Sequence, residues 1–258
     1  MDRFMVFIIG SIIGSFLNVC IYRMPKWKSF VSPGSHCPHC GKPVKWYHNV
    51  PVLSYLMLSG RCASCGKAIS WRYPVVELMT ATLILSAYVR FGPDVKFFVY
   101  SALLSALIVV AFIDLDTQEI PDLISLGGIA AGLAASCTFP WIFDTSSRIS
   151  AVNSSIIGSI AGGGSIYCMG VVGKALFKRE AMGGGDVKLM AMIGSFLGWQ
   201  KALLIFFIAP VFGAAAGVVL KMRDGRDVIP YGPFLSLAAV IVIFFGARIL
   251  GLMFYGMW

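Results

Sequence analysis

The sequence is short of charge. Only 13% of its 258 residues are Asp, Glu, Lys or Arg, whereas 58% are apolar. A water-soluble globule of this length cannot conceal so much apolar surface, which excludes ordinary soluble and disordered classes. Acids are scarcer than bases, 12 against 21, leaving a net charge of +9. That excess does not point to nucleic acid, because membrane proteins gather Lys and Arg on their cytoplasmic loops. Cysteine is also sparse: seven residues, unevenly placed, do not make a secreted disulfide scaffold. Long apolar runs are what the chain has in quantity, and it reads as an all-α polytopic membrane protein.

A spanning helix needs about twenty mostly apolar residues. About eight transmembrane helices are expected, near 4–22, 74–90, 97–113, 123–143, 154–176, 187–199, 202–220 and 233–256, the sixth being short. The first run is longer than the apolar region of a signal peptide and no small-residue cleavage site follows it, so it reads as an anchor. The expected organisation is a first transmembrane helix at 1–22, a polar loop at 23–73 and a transmembrane bundle at 74–258. Eight spans put both termini on one side. With the termini outside, fifteen Lys and Arg fall on inner loops, Arg179 and Arg226 among them, against five on outer segments. The positive-inside bias therefore places the termini outside and the 23–73 loop in the cytoplasm.

That loop contains an internal repeat. His36-Cys37-Pro-His-Cys40-Gly-Lys-Pro-Val-Lys-Trp46 is echoed by Arg61-Cys62-Ala-Ser-Cys65-Gly-Lys-Ala-Ile-Ser-Trp71. Each C-x-x-C places two sulfurs on one tight turn, and the Gly after it permits the backbone geometry of that turn. Two such knuckles supply Cys37, Cys40, Cys62 and Cys65 as a closed tetrahedral donor set, a small zinc-ribbon-like domain. One structural Zn2+ per chain is the expected occupant, although iron suits the same four sulfurs. The nearby His36, His39 and His48 are expected at the surface, and the isolated Cys20, Cys137 and Cys168 read as small packing residues.

Asp114 ends an apolar helix, and Asp186 follows Gly183-Gly184-Gly185 just before the short sixth span. Acids at membrane level are costly and point to function. Two carboxylates brought together can share a proton and divide acid and base roles. By position, Asp186 should face the positive end of the helix that follows it, and Asp114 the negative end of its own. Asp116, Glu119 and Asp122 sit further into the loop, where solvation explains them. Glu77, one turn inside the second span, suits a structural role as well as a functional one, and Gly162-Gly163-Gly164 reads as a helix-packing surface.

Asp114…Ile120-Pro121-Asp122, with Gly183-Gly184-Gly185-Asp186-Val-Lys188, resembles the bacterial prepilin leader peptidases, intramembrane aspartyl proteases of the GxGD type. Gly14-Ser15-Phe16-Leu17-Asn18-Val19, Asn49-Val-Pro51, Gly60-Arg61-Cys62 and Arg72-Tyr73-Pro74-Val-Val-Glu77 agree in order. The resemblance implies a catalytic pair, Asp114 and Asp186, supported by Pro121, Asp122, Gly183 and Gly185. It implies cleavage after a Gly, at the cytoplasmic face of the bacterial inner membrane. The substrates it implies are type IV pilins or the pseudopilins of type II secretion, each with a basic leader and an apolar N-terminal helix. The Cys loop is typical of bifunctional members, which then N-methylate the new terminus with S-adenosylmethionine. A peptidase-only member is the alternative. A transporter with carboxylate relays is weaker, because no matching halves are found in the chain.

Overall fold

The computed structural model describes residues 2–32, 34–178, 182–224 and 229–255. Arg179 and Arg226, counted above for orientation, lie outside the described residues. The helices are α1 (Arg3–Arg23), α2 (Leu53–Met57), α3 (Arg72–Phe91), α4 (Val95–Thr117), α5 (Asp122–Thr138), α6 (Arg148–Phe177), α7 (Gly184–Leu197), α8 (Trp199–Asp224) and α9 (Gly232–Tyr255). Among the described residues the only β pairing is two isolated bridges. The fold is all-α. Each of the eight apolar runs forms a helix, and six of these helices are long and apolar enough to cross a membrane. The exceptions are α5, at 17 residues, and α7, at 14. The chain forms two compact units, Met1–Val109 and Val110–Trp258, with α4 running from one into the other.

In the first unit α1 and α3 lie antiparallel in a four-residue register. A Cβ on Gly10 would sit 2.8 Å from Ala81 Cα, and one on Gly14 would sit 2.7 Å from Glu77 Cα. One turn further on, Asn18 donates from Nδ2 to the Tyr73 carbonyl at 3.1 Å. Gly10 and Gly14 thus form a small-xxx-small stripe that lets the two backbones touch, the packing device favoured where water supplies no drive between helices. Arg23 ends α1 buried, donating from Nη1 to the Ser29 carbonyl at 2.8 Å and so anchoring the start of the polar loop.

The second unit is built around α7. Nine of its fourteen residues are buried, from Asp186 and Leu189 to Leu197. A helix apolar all round belongs in a core, which explains why α7 is too short to be an ordinary span. Gly194 and Gly158 stand backbone to backbone across α7 and α6, and Gly162 meets the Met190 carbonyl. Ser155 Oγ donates to the Ser195 carbonyl at 2.6 Å. The expected glycine packing surface is real at Gly162 and Gly163, whereas Gly164 faces open space.

Two boundaries beside the acids differ from expectation, as do the end of α5, at Thr138 instead of 143, and the start of α6, at Arg148 instead of 154. Gly184 and Gly185 are the first residues of α7, so Asp186 lies in its first turn rather than before it. The acid there reaches the exposed amides of the first turn, and burial of α7 among its neighbours holds the two glycines helical despite their poor propensity. Likewise α4 continues to Thr117, placing Asp114 inside its last turn.

Gly194→Ala should force α6 and α7 apart and cost about 1–3 kcal/mol, the usual range for overpacking. Gly164→Ala should leave stability unchanged or raise it by up to about 1 kcal/mol through helix propensity. Thermal unfolding of the two variants in one detergent checks the contrast.

Candidate active site and metal centre

Asp114 and Asp186 are both buried, at 4% and 9% exposure. They come from different helices of the second unit and are close enough to interact electrostatically. Each carboxylate is held by one backbone amide. Gly232 N–H donates to Asp114 Oδ2 at 2.8 Å, and Gly183 N–H donates to Asp186 Oδ2 at 3.3 Å. The second contact follows from local sequence: Gly183 has no side chain with which to cap α7, so the acid three residues on reaches back to its amide. The first was not foreseen. Gly232 opens α9, and a Cβ there would lie 2.7 Å from Asp114 Oδ2. Asp114 therefore meets the positive end of α9 as well as the negative end of α4, which narrows the expected contrast in helix-end environment between the two acids. Beside them, Tyr231 carries a buried hydroxyl with no hydrogen-bond partner among the described residues. Burial and the negative charge of Asp186 push this phenol up to about 12.

The two motif segments meet in space. A Cβ on Gly185 would press on Ile120 Cβ at 3.0 Å, so the absence of a side chain allows α7 to begin against the turn that opens α5. Pro121 caps that turn, and its carbonyl accepts the N–H groups of Ile124 and Ser125, both at 3.1 Å. Asp122 forms an ion pair with Lys188 at 2.7 Å. Both partners are solvent-exposed, so the pair is worth at most about 1 kcal/mol and serves mainly as a register mark. Asp116 and Glu119 are exposed, unlike Asp114.

In the first unit the sequence repeat is a structural repeat. Gly41 N–H bonds the Cys37 carbonyl at 2.9 Å, and Gly66 N–H bonds the Cys62 carbonyl at 2.9 Å. Cys37 N–H reaches Lys42 O at 3.0 Å, matched by Cys62 N–H to Lys67 O at 2.8 Å. Gly41 and Gly66 adopt φ of 68° and 69°, the left-handed region that Gly enters without steric cost. The four sulfurs lie within 4.8 Å of one another, and Cys37 Sγ is 3.9 Å from Cys65 Sγ. Tetrahedral Zn–S bonds of about 2.3 Å imply sulfurs roughly 3.8 Å apart, so the donor set fits such an ion. Backbone amides of Cys40 and His39 hold the Cys37 thiol down to about 6. Cys65 stands at about 11: the Lys67 backbone lowers it, but desolvation and the three other sulfurs outweigh that. A divalent cation at the centre would remove this conflict between neighbouring thiolates.

The type IV leader peptidase family matches residues 101–218, and the bacterial peptidase A24 N-terminal domain matches residues 8–91. A prepilin leader peptidase/N-methyltransferase of Burkholderia pseudomallei is 34% identical over 268 residues, covering 93% of this chain and 84% of that protein. The chain belongs to the type IV leader peptidase family. A relative of the same name from Myxococcus xanthus is 40% identical, covering 86% of this chain and 64% of the relative. One from Pseudomonas aeruginosa is 33% identical, covering 94% and 90%. No solved structure matches. With this membership the apolar helices belong to a multi-pass inner-membrane protein, and both aspartates fall inside the leader peptidase segment.

Sequence reasoning located the two acids and the four Cys but missed Gly232. Its only signal was Tyr231-Gly232-Pro233, a turn leading into an apolar run. The Gly10-x-x-x-Gly14 spacing was legible and went unread.

The purified protein should carry one equivalent of metal on Cys37, Cys40, Cys62 and Cys65. Cys62→Ser should loosen the loop, seen as faster limited proteolysis between residues 24 and 71, while the helices stay inserted because they satisfy their own backbone hydrogen bonds. Elemental analysis finding no metal in intact, reduced protein would contradict this.

Proposed function

We propose that the protein is a membrane aspartyl endopeptidase that cleaves the leader from type IV prepilin-like substrates after a Gly. We propose further that it N-methylates the new terminus, with S-adenosylmethionine as methyl donor. The observation that carries the peptidase reading is the pair of buried carboxylates, Asp114 and Asp186, each fixed by a single backbone amide on a different helix. Two such groups cannot both ionise easily, so one takes a proton from water while the other donates to the scissile carbonyl. The roles then reverse as the amine leaves. Gly232 sets the position of Asp114, and Gly183 that of Asp186. Exposed and shortly beyond Asp114 in the chain, Asp116 and Glu119 offer negative charge to the basic leader, whose apolar continuation stays in lipid.

The orientation follows from charge. The excess of Lys and Arg on the polar loops favours termini in the periplasm, with the Cys loop and the aspartates at the cytoplasmic side. Zinc is the ion we assign to the four Cys; it has a structural role there, since four sulfurs leave no open position for chemistry.

Mass spectrometry of a prepilin substrate incubated with the purified protein tests both activities, through loss of the leader and a gain of one methyl group. Asp114→Asn and Asp186→Asn should each lower cleavage about 10³-fold or more, within the range for loss of a general acid or base. Asp116→Asn should retain most activity. Gly232→Ala should lower kcat by about tenfold or more with KM nearly unchanged, because its methyl group would displace the Asp114 carboxylate, and small misplacements are costly. Full cleavage by folded Asp114→Asn protein would remove Asp114 from the mechanism.

A further inference from the structure

Tyr231 lies beyond the segment, 101–218, that matches the leader peptidase family. Its position nevertheless ties it to the acid pair. The next residue, Gly232, gives its amide to Asp114 at 2.8 Å, and the phenol itself feels the charge of Asp186. The hydroxyl bonds to neither carboxylate: it is buried and has no hydrogen-bond partner among the described residues.

A buried hydroxyl left unpaired costs about 1–3 kcal/mol, and native structures keep few such groups. Phe would fill the same space without that cost. Packing, rather than a bond of its own, holds the side chain in place. The ring is seated on α8, where a Cβ on Gly213 would stand 3.4 Å from Tyr231 Cε2. A fixed, unpaired donor beside the groups that carry out acyl transfer is the arrangement that stabilises a developing oxyanion. A phenol pushed up to about 12 is neutral at working pH, so it offers a hydrogen bond and keeps its proton. The scissile carbonyl oxygen has two lone pairs, and the acid of the pair needs only one.

We propose that Tyr231 is a third catalytic residue of the peptidase, its hydroxyl donating a hydrogen bond to the scissile carbonyl oxygen as that oxygen gains charge. The proposal rests on the aspartyl peptidase reading of Asp114 and Asp186. In the first step the water oxygen bonds to the carbonyl carbon and gives a proton to the ionised aspartate. The π electron pair moves onto the carbonyl oxygen. One lone pair of that oxygen takes the proton of the second aspartate, and the other accepts from Tyr231. The carbon–nitrogen bond then breaks and its electron pair leaves with nitrogen, which takes the proton held by the first aspartate. The oxygen returns its proton to the second, and Tyr231 ends as it began.

Leader cleavage by full-length Tyr231→Phe protein in detergent tests this. Its kcat should fall about 10²-fold or more with KM nearly unchanged, the range for loss of one oxyanion donor. Its thermal unfolding should be unchanged or move upward, because the variant removes an unpaired polar group. Isotope-edited infrared spectroscopy reads the bond itself, with a prepilin substrate labelled at the scissile Gly carbonyl and bound to Asp114→Asn protein. Adding Tyr231→Phe to that protein should move the labelled band to higher wavenumber. An undiminished kcat would overturn the catalytic role, and so would a slow variant that also unfolds at lower temperature. A slow, stable variant with an unmoved band would overturn the assignment to the carbonyl oxygen. Failure of wild type to cleave the substrate would instead remove the peptidase reading, and this inference with it.

Discussion

The absence of a Cβ at a handful of positions governs how close the backbones of this protein come. Within a bilayer, apolar side chains gain little by meeting one another instead of lipid, so helix pairs rely on close contact and on polar groups satisfied across the gap. Gly10 and Gly14 bring α1 onto α3, Gly158 and Gly194 bring α6 onto α7, and Gly232 brings the start of α9 onto Asp114. The last differs in kind. There the room left by a missing side chain is filled by a carboxylate, and the amide of the same glycine holds it.

This economy explains how a chain with so few acids keeps two of them buried. Neither Asp114 nor Asp186 has a basic partner among the described residues; each has one amide at the beginning of a helix. Such partial charge steadies a carboxylate without neutralising it. A Lys or Arg in the same place would lock the pair in one ionisation state, whereas an amide leaves the proton free to move between them.

Much of this was legible in the sequence. The duplicated C-x-x-C-G-K knuckle gave its own geometry, because spacing within one turn is a local property. Asp114 and Asp186 stood out because an acid next to an apolar run is rare. Gly232 did not, since its partner lies 118 residues away and a Gly-Pro pair is common at any helix start. The beginning of α7 was not legible because two glycines read as a loop, whereas burial of the helix among its neighbours holds them helical. Glu77 was legible as a residue with two readings, and its surroundings were not, because the Val52 amide reaches it only through the fold of the intervening loop.

The two knuckles carry matching hydrogen bonds but differ in how they meet water. Cys37 is buried and Cys65 is exposed. An ion held between them is shielded on one flank and open on the other, so metal exchange has a preferred direction. Chelators and oxidants reach the Cys65 edge first, and a disulfide forming there would eject the ion while leaving each turn closed by its own amide contacts. Stripping and reloading should then proceed with the helices in place, at a rate set by access to a single sulfur.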